Sequence, residues 1–325
     1  MKEKKARKKN DRISAMRAIL LFSIVSAHSS IAITETTGSL SQTLWKIWQV
    51  WSIIGVPGFF ALSGYLHKGK EEKVSLTFKK KLKGVCIPWV LCGTLIYLIT
   101  QYPAYNITLF SRFLVGYNSY LYYLTVLMVC YVLFYYLYKS TLFLAICIFG
   151  NIISLFLAQN GICIPGLTNF LNPFNWIGYF AIGCLLKKYG GFELLEDKRM
   201  IRIGAVAMLI LLICVGALND VTTYFYGFSF FIGAVSIVGV YSISCIPSIK
   251  NNYVFKKLGD YSFAIYLLHM PAVAMLKRIV RILNVNFYIT IPVIVILIFF
   301  VVLSLVEKAS KKKGLSFLRV ILGLR

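Results

Sequence analysis

The stretch ISAMRAILLFSIVSAHSSIAI, residues 13–33, decides the fold. A hydrocarbon core about 30 Å thick is crossed by roughly 20 residues of α-helix, and this mostly apolar run is that long. Two ionisable side chains, Arg17 and His28, nevertheless stand inside it. Runs of the same character recur along the chain, separated by short polar or basic breaks. Of the 325 residues 59% are hydrophobic and 14% charged, with a mean hydropathy of +0.76. That leaves too little polar surface for a water-soluble domain of this length. The runs are continuous and do not alternate with a two-residue period, so they read as helices and not as a β-barrel.

The expected fold class is therefore all-α, a polytopic membrane helix bundle of about ten transmembrane helices. The expected spans are Ile13–Ile33, Leu44–Leu66, Val85–Tyr102, Tyr120–Tyr138, Leu142–Leu157, Asn175–Leu186, Ile203–Leu218, Tyr224–Ile246, Tyr261–Leu276 and Phe287–Val306. They divide the chain into a basic N-terminal segment (1–12), a membrane domain (13–306) and a basic tail (307–325). The N-terminus imitates a signal peptide, but its apolar run is long, continues past a histidine and lacks a small-residue cleavage site, so it is expected to stay as the first helix. No soluble domain is expected, which leaves the chemistry to the bundle.

A formal charge of +24 could point to nucleic acid, so its placement matters more than its size. With residues 1–12 cytoplasmic, the inner segments are 1–12, 67–84, 139–141, 187–202, 247–260 and 307–325, and they hold 29 of the 35 Lys and Arg residues. This is the positive-inside bias, and it predicts that both termini are cytoplasmic in a multi-pass cell-membrane protein. The charge then serves orientation and membrane lipids, and no nucleic-acid partner is expected. The eight cysteines are scattered singly with no CxxC pair, which suggests packing residues and neither disulfides nor a metal site.

Arg17 and His28 are the costly feature, since insertion scales put an Arg or Lys at a helix centre at about 2.5–3.5 kcal/mol. They are eleven residues apart. That is about 1100°, three turns plus roughly 20°, so both share one face, about 16 Å apart along the axis. Imidazole is suited to accept and return a proton near neutral pH. The competing reading has Arg17 snorkelling to headgroups and His28 making an interhelical hydrogen bond. Glu35 falls on the same face further out, where a solvated rim carboxylate is expected.

Other signals are weaker. Span two ends in GVPGFFALSGYLHKGK, whose Gly55, Pro57, Gly58 and Gly64 favour a kink or close backbone approach. Ser63 there could bond a ligand or its own helix, and His67 reads as interfacial. Lys79, Lys80, Lys81 and Lys83 form a basic cluster before span three, followed by Pro88 within the helix. They suit anionic lipid or the phosphates of a nucleotide-bearing donor. His269 is a buried histidine within span nine, whose Asp260 and Ser262 resemble a helix N-cap. Lys277, Arg278 and Arg281 stand at its outer end, against the charge bias. Asn172, Asn175 and Trp176 are candidates for sugar contact at the outer mouth.

Four of these segments, in order, resemble the acyltransferase-3 family of bacterial integral-membrane acyltransferases, over essentially the whole chain. They are Arg17 to His28 in the first helix, FFALSGYL (59–66), YLYYLTVLMVCYVLF (120–134) and LGDYSFAIYLLHMP (258–271). The resemblance implies a ten-helix enzyme that moves an acyl group, usually acetyl, from cytoplasmic acyl-CoA to a hydroxyl of an extracytoplasmic glycan or lipid-linked saccharide. Acyl-CoA is then a co-substrate, with no bound cofactor. The resemblance makes His28 and Arg17 the catalytic positions; Ser63, Lys80, Lys81, Lys83 and His269 are candidates for donor or substrate binding. Where members often carry an Arg-x-x-Arg-type cluster before helix three, only lysines stand here, which loses the bidentate fork for phosphate. The alternative class is a glycan transporter or flippase, for which broken helices and midplane polar groups are also expected. A catalytically idle assembly or sensor subunit is a third.

Overall fold

The computed structural model describes residues 10–29, 39–101, 103, 105–117, 119–283, 290–311 and 315–324. Glu35 lies outside them, as do the far end of the first expected span and the start of the last. Among the described residues the chain is all helix and turn: α1 (Asp11–Ser29), α2 (Ser39–Ser52), α3 (Gly55–Tyr65), α4 (Val74–Lys81), α5 (Ile87–Thr100), α6 (Ile107–Val115), α7 (Tyr122–Leu137), α8 (Thr141–Gln159), α9 (Ile177–Lys188), α10 (Gly191–Asp197), α11 (Arg199–Leu218), α12 (Gly227–Ser244), α13 (Pro247–Lys250), α14 (Tyr253–Ile282), α15 (Ile291–Ala309) and α16 (Phe317–Ile321).

Seven helical stretches among the described residues are long and apolar enough to cross a membrane: Gln42–Tyr65, Val74–Thr100, Thr141–Gln159, Arg199–Leu218, Gly227–Ser244, Tyr253–Ile282 and Ile291–Ala309. The chain is a multi-pass membrane bundle. The other three expected spans fall on α1, whose hydropathy Arg12, Arg17 and His28 reduce, on α7 with 16 residues and on α9 with 12. The outer helices declare themselves by what they leave uncovered. Ile146, Phe149 and Ile153 of α8 and Leu297, Val301 and Leu305 of α15 are exposed apolar side chains, as a lipid-facing surface requires.

Prolines shape the inner helices. Pro57 cannot donate to the carbonyl of Ile53, and the chain breaks there between α2 and α3. The Ser23 hydroxyl of α1 lies 3.0 Å from each of the Trp51 and Ser52 carbonyls beside that break. Pro88 removes the donor for Gly84, and the helix widens into a single π-turn, Leu82–Cys86, between α4 and α5.

Asn10 caps α1 through its side-chain oxygen, which accepts from the Arg12 amide at 3.1 Å. From there α1 is buried against α3, α12 and α14, and its pairing with α14 sets the site. The two run parallel: Lys256 pairs with Asp11 at 2.8 Å near their starts, and Gly259 lies directly on the Ser14 carbonyl, with no space for a Cβ. Helices α3 and α9 run antiparallel and touch backbone to backbone, Gly64 on the Phe180 carbonyl and Gly183 on that of Ala61. Such approach is the way small residues serve membrane bundles. The start of α14 departs from expectation. Its N-cap is Asn252, which accepts from the Val254 amide at 2.8 Å, so Asp260 and Ser262 lie within the helix.

Candidate functional site

Arg17 and His28 both lie half-buried on α1. Parallel packing brings His28 to His269 of α14, with ring centroids 5.1 Å apart and planes at 48°. These residues are separated by most of the chain. Tyr120, just before α7, closes the third side, 5.3 Å from His269 and 6.4 Å from His28 between ring centroids.

The local sequence fixes this group. Pro271 leaves the carbonyl of Leu267 without its helical donor, and the Tyr120 hydroxyl donates to it at 2.6 Å. In return the Tyr266 hydroxyl donates to the Tyr120 carbonyl at 2.6 Å. His269 is fully buried, and its Nδ1 is 2.7 Å from the Tyr266 carbonyl. A carbonyl can only accept, so Nδ1 carries the proton and Nε2 presents a lone pair. That Nε2 is buried and has no hydrogen-bond partner among the described residues. Lys277, two turns on, acts electrostatically on His28.

The line of aromatic contacts continues along α7 away from the histidines. Tyr123 sits 5.5 Å from Tyr266 and 4.8 Å from Phe60, between ring centroids. Its hydroxyl is 3.5 Å from Ser63 Oγ, and the Arg17 charge acts on it. Two turns further, Tyr131 holds the Lys81 ammonium 3.3 Å from its ring centroid. His67 stacks on the same ring at 5.7 Å, and Tyr138 and Phe180 each meet it at 5.6 Å. Lys187 donates to the His67 carbonyl at 2.5 Å. From Tyr131 to Tyr120 this line spans eleven residues of chain, about 16 Å of helix.

The sequence candidates therefore divide. Arg17, His28, Ser63, Lys81 and His269 fall along one line of side-chain contacts inside the bundle. Lys80 instead pairs with Glu72, and Lys83 lies on the surface beside α16, so neither reaches it. His67 is buried within the protein, at 4% exposure. Burial, and then the Lys81 charge, push its pKa down to about 4. Asn172, Asn175 and Trp176 are not free for sugar. They are buried and tie down the turn before α9: Asn172 Nδ2 donates to Ser154 Oγ at 3.2 Å, Asn175 Nδ2 to the Asn169 carbonyl at 2.8 Å and Trp176 Nε1 to the Phe170 carbonyl at 2.9 Å. Among the described residues no three His, Cys, Asp or Glu side chains gather as a metal site.

A membrane bundle with paired imidazoles at one end of an internal line of aromatic side chains, and Lys81 and Lys187 at the other, is the class that fold and site define. The acyltransferase domain of the acyltransferase-3 family matches residues 10–306, and the chain belongs to that family. Neither a curated protein nor a solved structure matches it.

Proposed function

We propose that this acyltransferase is an integral-membrane O-acyltransferase. It transfers an acyl group, acetyl foremost, from cytoplasmic acyl-CoA to a hydroxyl of an extracytoplasmic glycan or lipid-linked saccharide. In this reading ten helices cross the bacterial cytoplasmic membrane with both termini inside. The observation that carries it is the His28–His269 contact, 5.1 Å between rings, remote from Lys81 and Lys187.

The donor enters at Lys81, where an ammonium attracts phosphate as a point charge. Arg17 and Tyr123 hold its arm along this line of side chains. The acceptor hydroxyl arrives between the histidines. His28 takes the hydroxyl proton as the oxygen attacks the thioester carbonyl; the C–O bond forms, the C–S bond breaks, and the departing thiolate receives that proton. His269, with Nδ1–H committed to its own helix, is left with Nε2 as an acceptor that orients the hydroxyl or the His28 ring. Tyr120 cannot serve as proton donor, because its hydroxyl proton is held by Leu267.

The test is glycan ester content in cells producing His28→Ala at matched protein levels. The expected outcome is loss of the ester, with the general-base contribution of about 10²–10⁴-fold in rate removed. Unchanged ester content overturns the reading. Release of CoA by the purified protein separates it from a flippase, which moves substrate without consuming donor.

A further inference from the structure

The tail of the chain is built into the bundle. Cys92 Sγ of α5 donates to the Ile321 carbonyl at 3.6 Å, and Gly323, at φ +62, fits beneath Phe263 and Pro88. That left-handed residue ends α16 and turns the Leu324 amide back to the Arg319 carbonyl at 2.8 Å. Leu324 is buried at 9% exposure. The tail thereby brings Arg319 across from α4 and the π-turn. Between them lies a cavity of about 440 Å³, lined by Lys79, Lys80, Lys83 and Arg319, with Leu76 and Leu324 among its apolar walls.

Lys80 is neutralised by Glu72. Among the described residues no carboxylate pairs with Lys79, Lys83 or Arg319. Like charges gathered at one cavity repel unless an anion joins them. The apolar side chains of Val90, Leu91 and Leu95, exposed on α5, begin just beyond the π-turn. The cations therefore stand where lipid-facing surface gives way to polar surface, at headgroup depth. Arginine adds a planar fork suited to two phosphate oxygens.

We propose that this cavity binds the headgroup phosphate of an anionic phospholipid, seated by Lys79, Lys83 and the tail's Arg319. The site is separate from the line of contacts that ends at the histidines and does not depend on acyl transfer. A nucleotide phosphate has the same chemistry but no acyl chains to lie on the α5 face.

The full chain is reconstituted in nanodiscs of phosphatidylglycerol and phosphatidylcholine, and lipids retained on release are counted by native mass spectrometry. The wild-type chain retains phosphatidylglycerol preferentially. Lys83→Gln and Arg319→Gln each weaken retention about fivefold, as expected for one cation near an anionic surface, whereas Lys198→Gln leaves it unchanged. Arg319→Lys, which keeps the charge and guards against a merely misfolded tail, retains the lipid. Equal retention in all variants, or equal loss in Lys198→Gln, overturns the proposal. So does displacement of the lipid by millimolar adenosine 3′,5′-bisphosphate, which would assign the cavity to a nucleotide.

Discussion

Three prolines act here through the carbonyl each leaves without a donor, and the molecule uses the vacancies differently. Beside Pro57 the break gives Ser23 two carbonyls to bond. At Pro88 the backbone widens into a π-turn. At Pro271 the freed Leu267 carbonyl receives the Tyr120 hydroxyl and so carries α7 to the histidines. Sequence alone could place Arg17 and His28 on one face, because helical periodicity is local. It could not give His28 its neighbour, because periodicity says which way a side chain points and not what it meets. His67 was hidden for a related reason. Its flanks, Lys68 and Lys70, look like a loop, while its burial comes from Tyr131, Tyr138 and Phe180, all remote in sequence. That burial makes a prediction. Folded His67 titrates near 4, below the ordinary value of 6.5, so between those values the unfolded chain binds more protons. Stability should rise with pH across that window, by no more than about 1.4 kcal/mol per pH unit from this one group. Thermal unfolding of the detergent-purified protein from pH 4 to 7 should show the slope, and His67→Leu should flatten it. An unchanged slope in the variant would mean that the ring protonates in place.

Between elements, closeness is set by glycine. On α9, Gly183 faces the Ala61 carbonyl with no room for a methyl group, whereas nothing lies within 4 Å of a Cβ at Gly150 on α8. Gly183→Ala should force α3 and α9 apart and destabilise by about 1–3 kcal/mol or more, the range for overpacking. Gly150→Ala should be neutral, or stabilising by up to about 1 kcal/mol, since alanine is the better helix former. Melting midpoints of the two purified variants decide it, and equal loss in both would refute the backbone contact. The helices themselves were largely legible: each expected span coincides with helix in the described residues. What length and hydropathy could not convey is that α7 and α9 are short, at 16 and 12 residues, and that α1 is polar. Helices α1 and α9 are mostly buried in the bundle, and helices surrounded by protein can be shorter and more polar than helices surrounded by lipid.

For the whole molecule, the distribution of charge predicts orientation, with both termini inside. In the ten-span arrangement, Lys81, His67 and Lys187 mark the cytoplasmic end of the line of contacts, and the histidine pair lies toward the outside. The turn between α8 and α9 is then extracytoplasmic, and it carries Cys163, an exposed thiol. Its Sγ lies 3.2 Å from Asn169 Oδ1, in a segment that the Asn172 and Asn175 hydrogen bonds hold in shape. Cys214 is also exposed, but on α11, whose apolar surface faces lipid where a charged reagent has no access. Cys86 and Cys245 are half-buried near the lysine-rich end, and the remaining four are buried. A membrane-impermeant maleimide applied to intact cells should therefore label the chain once, and Cys163→Ser should abolish that labelling. Labelling of Cys163 only after lysis would reverse the bundle. The cations would then face outward, against the positive-inside bias, and a cytoplasmic thioester would have no route to Lys81.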